Sequence, residues 1–536
     1  MKKIYTLIFV LLICTTVESQ YVQKVTSINY YGYNGLNPSN ITVFDGKLYF
    51  FGTDDEQYVD KLMLTPDGSA AGVTAVKQID SVIEYPSLKH LTILNNLLIF
   101  DNQTHLWISD GTAGGTSSIA SLTISSENYA ILNNKVYFAG DNTNSNPIND
   151  QLWESDGTAA GTTLVMTINP SGPASITDIY SYGGKIYFSA NDGVNQTQPW
   201  ISDGTASGTT MLKRINPTGE SDPVYFFGYN GKVYFNASDG VNGNQLWVTD
   251  GTAAGTVEIT HINITGDVGL YPSTFTLYNS KMYFMGADTG AYFQLWATDG
   301  TTAGTVKVKT DYTNNTYSGF QPTSMAVHKN KLYMSGYDSL SKTNQLWVMD
   351  SVATTPSKVT SFAHGLDPAK LYSFQDKLIM TGNDTISDEE QLFATDGTAA
   401  GTVCPTPPST VGGSPFDPWQ AWVPFNNAVY FSAAYTLWSD YQLCRYTEFP
   451  SGISQLTQEN LAVYPNPTKG IFNVVLPKSA TFAQIEVYNI TGLLIHHQPA
   501  VKEINTVDLT THPSGVYILK VISPDQTITS KKIIKN

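Results

Sequence analysis

Gln245-Leu-Trp-Val-Thr-Asp-Gly-Thr-Ala-Ala-Gly-Thr256 is the stretch from which the fold is read, because the chain writes it repeatedly. It recurs at 151–162, 294–305 and 391–402, in related form at 105–116 and 198–209, and in degenerate form at 61–74 and 345–355. Its aspartate stands at Asp67, Asp110, Asp156, Asp203, Asp250, Asp299, Asp350 and Asp396, so the interval runs from 43 to 51 residues. A second motif, Asn230-Gly-Lys-Val-Tyr-Phe235, precedes it and occurs in nine variants, the last at 426–431 without an Asp-Gly-Thr partner. Self-similarity at this period is the mark of a repeat architecture.

One period reads as four strands, at 273–278, 281–286, 293–298 and 305–310. Each is rich in Val, Tyr, Phe and Thr and bounded by Gly, Asn, Asp or Ser. Four antiparallel strands in ~45 residues have the size of one β-propeller blade. The expected fold is therefore all-β, a β-propeller of about nine four-stranded blades followed by a small C-terminal β-sandwich. Propellers typically have four to eight blades, so eight blades with an irregular final unit is the second choice. Residues 21–30 read as an orphan strand that completes the last blade and removes both sheet edges.

Within the motif, Asp110, Asp156, Asp203, Asp250, Asp299 and Asp396 are expected to cap the turn between strands three and four. An Asp side chain accepts from backbone N–H groups two residues on, and Gly supplies φ > 0 without strain. Calcium ligation is the functional alternative, but no Asp-x-Asp-x-Asp loop with a bidentate Glu is present. No metal site and no cofactor are assigned, and calcium is kept as the one ion to consider. The repeated Trp (107, 153, 200, 247, 296, 347, 438) is placed to pack between neighbouring blades. Unit seven, Asp350-Ser-Val-Ala-Thr-Thr-Pro356, lacks the Gly and must turn differently.

These residues resemble the Leu-Trp-x-x-Asp-Gly-Thr-x-x-Gly-Thr repeats of large secreted proteins of Bacteroidetes-type bacteria, over residues 45–446. The turn is also similar to the Asp-box of sialidase propellers, which that resemblance makes structural rather than catalytic.

The 536 residues are 41 % hydrophobic and 14 % charged, with 12 % aromatics, which excludes a disordered chain. With 45 acidic against 29 basic residues the net charge is −16, although residues 461–536 are net basic. Such a body repels phosphate backbones, so a nucleic-acid partner is not expected. Lys2 and Lys3, the apolar run 4–14 and the polar 15–20 form a secretory signal, assigned to 1–19 with cleavage after Ser19. Ile13 is too large for a lipobox before Cys14. No other stretch is long and apolar enough for a transmembrane helix. Cys404 and Cys444 remain in the mature chain, and a disulfide between them is left open.

After the repeats (20–455), residues 456–536 read as a separate module. Tyr464-Pro465-Asn466-Pro467, Gly470, Val-Tyr-Asn-x-x-Gly492, Gly515-Val-Tyr517 and the Lys531-Lys532 tail follow in order. Pro465 and Pro467 are expected to keep the start of the module extended. The four motifs closely resemble the type A C-terminal sorting domain of the type IX secretion system. That resemblance implies a partner, the type IX machinery, and export across the outer membrane after Sec passage, to the medium or the cell surface.

No catalytic residue is assigned. The eight His show no metal spacing, and nucleophile elbow, Walker and dinucleotide motifs are absent. Variation between repeats collects in the strand two–three loops and the blade connections, which emerge at one end of a meander. Binding residues favour such loops. Tyr271, Tyr292, Phe416 and Trp419 are the ligand-face candidates, offering flat surfaces to a glycan or a surface protein. The expected function is non-enzymatic binding or adhesion. A polysaccharide hydrolase or lyase, and a purely structural surface protein, are the alternatives.

Overall fold

The computed structural model describes residues 22–27, 35–53, 59–79, 88–143, 148–262, 269–288, 292–308, 319–383, 390–405, 422–434, 441–447, 462–476, 484–489, 494–499, 504–522 and 528–536. It divides into two compact units, residues 1–448 and 449–536.

The first unit is a β-propeller. Among the described residues it holds nine antiparallel sheets in chain order, blades 1 to 9. Blade 5 shows the plan: Val224–Tyr229, Lys232–Ser238, Asn244–Thr249 and Val257–Glu258, each strand pairing with the next. Fourth strands are shorter than expected; in blade 6 it is Val306–Lys307 alone. In blade 8 the fourth position is a single bridge, Ala394 to Val403. The seventh turn does differ: Asp350 Oδ1 accepts from Val352 N at 3.1 Å and Ala353 N at 2.9 Å, with no glycine involved.

Strand two of each blade is buried on both faces, so it reads as a nearly continuous apolar run such as Leu48–Phe51. The apolar side chains form a core between each pair of consecutive blades rather than one central core. Tyr234, Leu246, Leu270, Phe284 and Trp296 fill the gap between blades 5 and 6. Trp153, Trp200, Trp247 and Trp347 sit in the corresponding gaps. Leu36, Phe50, Phe425, Tyr430 and Leu443 join blade 9 to blade 1, which closes the ring. Trp438 lies outside the described residues.

Closure uses the N-terminal strand. Val22–Lys24 adds to Tyr441–Thr447 as the fourth strand of blade 9, pairing Val22 with Tyr446 and Lys24 with Cys444. Both Arg445 Nε and Nη2 donate to Gln23 Oε1, at 3.0 and 2.8 Å. Thr26 Oγ1 donates to Gln442 Oε1 at 2.8 Å. Cys404 is exposed and Cys444 buried, and they form no disulfide.

The second unit is a small β-sandwich. Ala462–Tyr464, Ile471–Val475 and Ile504–Asp508 form one sheet; Leu494–Pro499, Gln484–Asn489, Gly515–Ile522 and Ile528–Lys535 form the other. Phe472, Val474, Ile485, Val487, Leu519 and Ile533 are the core between them. No helix among the described residues is long and apolar enough to cross a membrane.

Candidate ligand face

The two ends of the propeller are built differently. At the turn end, the Asp110 carboxylate accepts from Thr112 N at 2.9 Å and Thr112 Oγ1 at 2.7 Å. Asp156, Asp203, Asp250, Asp299 and Asp396 make the same pair of bonds to the threonine two residues on. These bonds, the threonine hydroxyl's first, hold all six carboxyls below the usual range.

The turn glycine has a second cause that spacing does not reveal. Gly204 has φ +91°, and a Cβ there would collide with the Tyr137 hydroxyl of the preceding blade. Tyr49, Tyr234 and Tyr333 stand in the same way against Gly111, Gly300 and Gly397. Tyr430 of blade 9 donates to Gly68 O of blade 1 at 3.2 Å, so the same contact crosses the closure. Burial raises the Tyr234 hydroxyl to about 12. The two repeated motifs are thus halves of one contact between neighbouring blades.

The glutamine that opens the motif also gains a role. Gln198 Nε2 donates to Asn195 O, Asn216 O and Gly219 O, and its Oε1 accepts from Ile215 N at 2.9 Å. Gln151 does the same for the preceding connection. A buried amide therefore straps the variable connection to a rigid strand in these blades, and Gln245 and Gln345 repeat the arrangement.

At the loop end, first strands lie innermost, since those of consecutive blades touch: Ser39–Phe44 against Lys89–Leu94, Thr177–Tyr182 against Val224–Tyr229. The fifth residue from the end of each first strand, counting back inclusively, forms a collar around the axis. Its members are Asn40, His90, Asn128, Asp178, Tyr225, Thr274, Ser324 and Lys370; the ninth falls outside the described residues. Asn40, His90, Asp178, Tyr225, Thr274 and Lys370 all have φ between +49 and +60°, and pairing shifts register there. Such bulges free backbone groups, and collar side chains take them up. Asn128 Nδ2 donates to Ile179 O at 2.9 Å, Asp178 Oδ2 accepts from Tyr225 N, and Ser324 Oγ accepts from Leu371 N at 3.3 Å. Burial pushes the Asp178 carboxyl up, and the charge of Glu127 adds to it.

His90 belongs to a compact cluster. Its Nδ1 is 2.6 Å from Asp101 Oδ2 and its Nε2 is 3.0 Å from Glu127 O. Tyr129 Oη donates to the same Asp101 oxygen at 2.6 Å, and burial, then Asp101, pushes that hydroxyl well up. No three His, Cys, Asp or Glu side chains among the described residues gather as a metal site.

Of the aromatic candidates, Tyr271 is 40 % exposed with φ +49°, and its N–H donates to Asn244 O at 3.1 Å. Tyr292 is half-buried, its carbonyl bonded by Asp288 N at 2.9 Å. Both belong to the loop end of blade 6. Phe416 and Trp419 lie outside the described residues. The collar, Tyr225 included, was missed because its signal is a backbone conformation rather than a residue type.

In the sandwich the sorting residues converge on the tail strand. Asn466 Nδ2 donates to Lys532 O at 2.7 Å and its Oδ1 accepts from Ile534 N at 2.8 Å. The chain does not run extended through Pro465 and Pro467; it bends there, held by these two bonds. Tyr464 is 48 % exposed, and Lys532 is exposed. Gly470 has φ +125° against Thr510, while Gly515 has open space. Tyr517 Oη donates to Pro513 O. Lys531 is half-buried on the tail strand, and Gly492 lies outside the described residues.

No curated protein matches the chain by sequence. Among solved structures, puromycin hydrolase is similar at 12% identity over 66% of this chain and 59% of its own, TM-score 0.34. The β-propeller domain of the trilobed protease from Pyrococcus furiosus is similar at 9% over 71% and 97%, TM-score 0.33. Prolyl oligopeptidase B from Galerina marginata gives 9% over 66% and 56%, TM-score 0.36. The chain spans little more than half the length of the first hydrolases it resembles. Residues 462–536 match the secretion system C-terminal sorting domain, and this part of the chain is a type IX sorting domain.

Proposed function

We propose that this is a secreted or surface-held binding protein: the sorting domain directs export, and the loop end of the propeller holds a ligand without turning it over. The sorting domain implies secretion through the type IX machinery. What supports binding is the contrast between the ends. Six turns repeat one Asp–Thr arrangement, whereas seven different residue types occupy the eight described collar positions. A frame constant at one end and diversified at the other is how a rigid scaffold carries recognition.

A polysaccharide hydrolase remains the second reading, favoured by the inward cluster of His90, Asp101 and Tyr129. Both ring nitrogens of His90 are engaged, by Asp101 Oδ2 and by Glu127 O, which supports a structural tie between blades 2 and 3. Glycan-array binding run beside an activity screen on the same polysaccharides tests the proposal. Retained ligand without product is the expected result; product release overturns it. Deleting 462–536 should leave the protein inside the cell, and undiminished export would end the sorting half of the proposal.

A further inference from the structure

The axial collar carries one member that nothing in the frame explains. At most collar positions the left-handed backbone is accompanied by a polar or charged side chain, and those of His90 and Asp178 bond the next blade's backbone. Tyr225 differs. It holds φ +60° and leaves 54 % of its surface exposed. A bulky residue at positive φ is a conformational outlier, and such strain concentrates where a side chain must be aimed. The backbone that carries the ring is held in place, since Tyr225 N donates to Asp178 of blade 4.

Around it the collar is polar throughout: Asn40, Asn128, Thr274, Ser324 and Lys370 share its level. Nearer the turn end, first strands instead expose Ile93, Ile131, Leu277 and Val327. The collar around this aromatic face mixes hydroxyl and amide groups with charges of both signs, Asp178 and Lys370, and fits a ligand with apolar C–H faces and many hydroxyls. An anionic ligand gains no net attraction from a mouth that sets Asp178 and Glu127 against Lys370, and an apolar peptide would bury the collar's polar groups without partners.

Resting on the binding reading above, we infer that the loop-end mouth of the axis is a subsite for a neutral oligosaccharide, with Tyr225 as the stacking platform. This adds the axis as a recognition position beside Tyr271, which shares the positive φ and the exposed ring.

The test uses the mature full chain titrated with neutral hexasaccharides of glucose, xylose, mannose and galactose, and with a hexalysine peptide. Expected is binding of at least one sugar, weakened tenfold or more by Tyr225→Ala and unchanged by Tyr292→Ala. Tyr225→Gly should lose the sugar equally yet raise the Tm, because glycine accepts φ +60° without strain. Were the tyrosine structural, that variant would lower the Tm instead, and the inference would be wrong. Sugar binding indifferent to Tyr225 overturns the axial subsite but leaves a binding protein. Binding of hexalysine and no sugar overturns the ligand class.

Discussion

Replacing Lys24 by cysteine should staple the ring shut. Lys24 lies opposite Cys444, and the adjacent pair is bonded by Val25 N to Leu443 O at 2.8 Å. The Lys24–Cys444 pair is therefore a non-hydrogen-bonded one, with Cα atoms about 4.5 Å apart and side chains on one face. That separation lies within the range a disulfide spans. The bond would close a loop of ~420 residues, for which the chain-entropy relation yields roughly 6 kcal/mol, an upper figure because engineered bridges deliver less. With unfolding entropy near 2.1 cal/mol/K per residue over ~430 residues, 3–6 kcal/mol corresponds to a Tm increase of about 3–7 °C. The assay is calorimetry of Lys24→Cys in a Cys404→Ser background, oxidised and reduced, with thiol counting. Thiols that stay reactive under oxidant would mean that Val22–Lys24 does not complete blade 9. A bridge that forms and leaves the Tm unchanged would mean that closure is not part of the cooperative unit.

Gly204→Ala and Gly184→Ala both place a side chain at positive φ, but only the first meets a tyrosine hydroxyl while the second meets nothing. Urea unfolding should find Gly204→Ala worse by about 1–3 kcal/mol; equal losses would refute the interblade contact. Trp247, 6 % exposed with Nε1 donating to Ala237 O at 3.1 Å, should cost about 3–5 kcal/mol when truncated to Ala. A loss below ~1 kcal/mol in the same urea series would show that it packs against nothing that matters. The turn carboxyls are held below their unfolded values, so their contribution is complete above the ordinary carboxylate range near pH 4 and fades as pH falls through the depressed values. The Tm should accordingly drop as pH falls below about 4, less steeply when Asp203→Asn and Asp250→Asn are combined. Identical slopes would remove the turns from the acid response.

Much of the propeller was legible along the chain because its cues are local. Turn chemistry recurs every 43 to 51 residues, period-two strands lie between, and an unclaimed strand precedes the first blade. The sorting module was legible for the same reason, through four short motifs in order. Tertiary structure decided what depends on the next blade. Gly204 reads as a turn residue, but Tyr137, far upstream, leaves it no room for a side chain. Gln198 reads as the first letter of a repeat, but its amide has value only once a connection folds over it. Tyr225 is silent in sequence, since a left-handed bulge on an inner strand leaves no compositional trace. Period and turn type are encoded within one module, whereas contacts across blades and the collar exist only after nine modules share an axis.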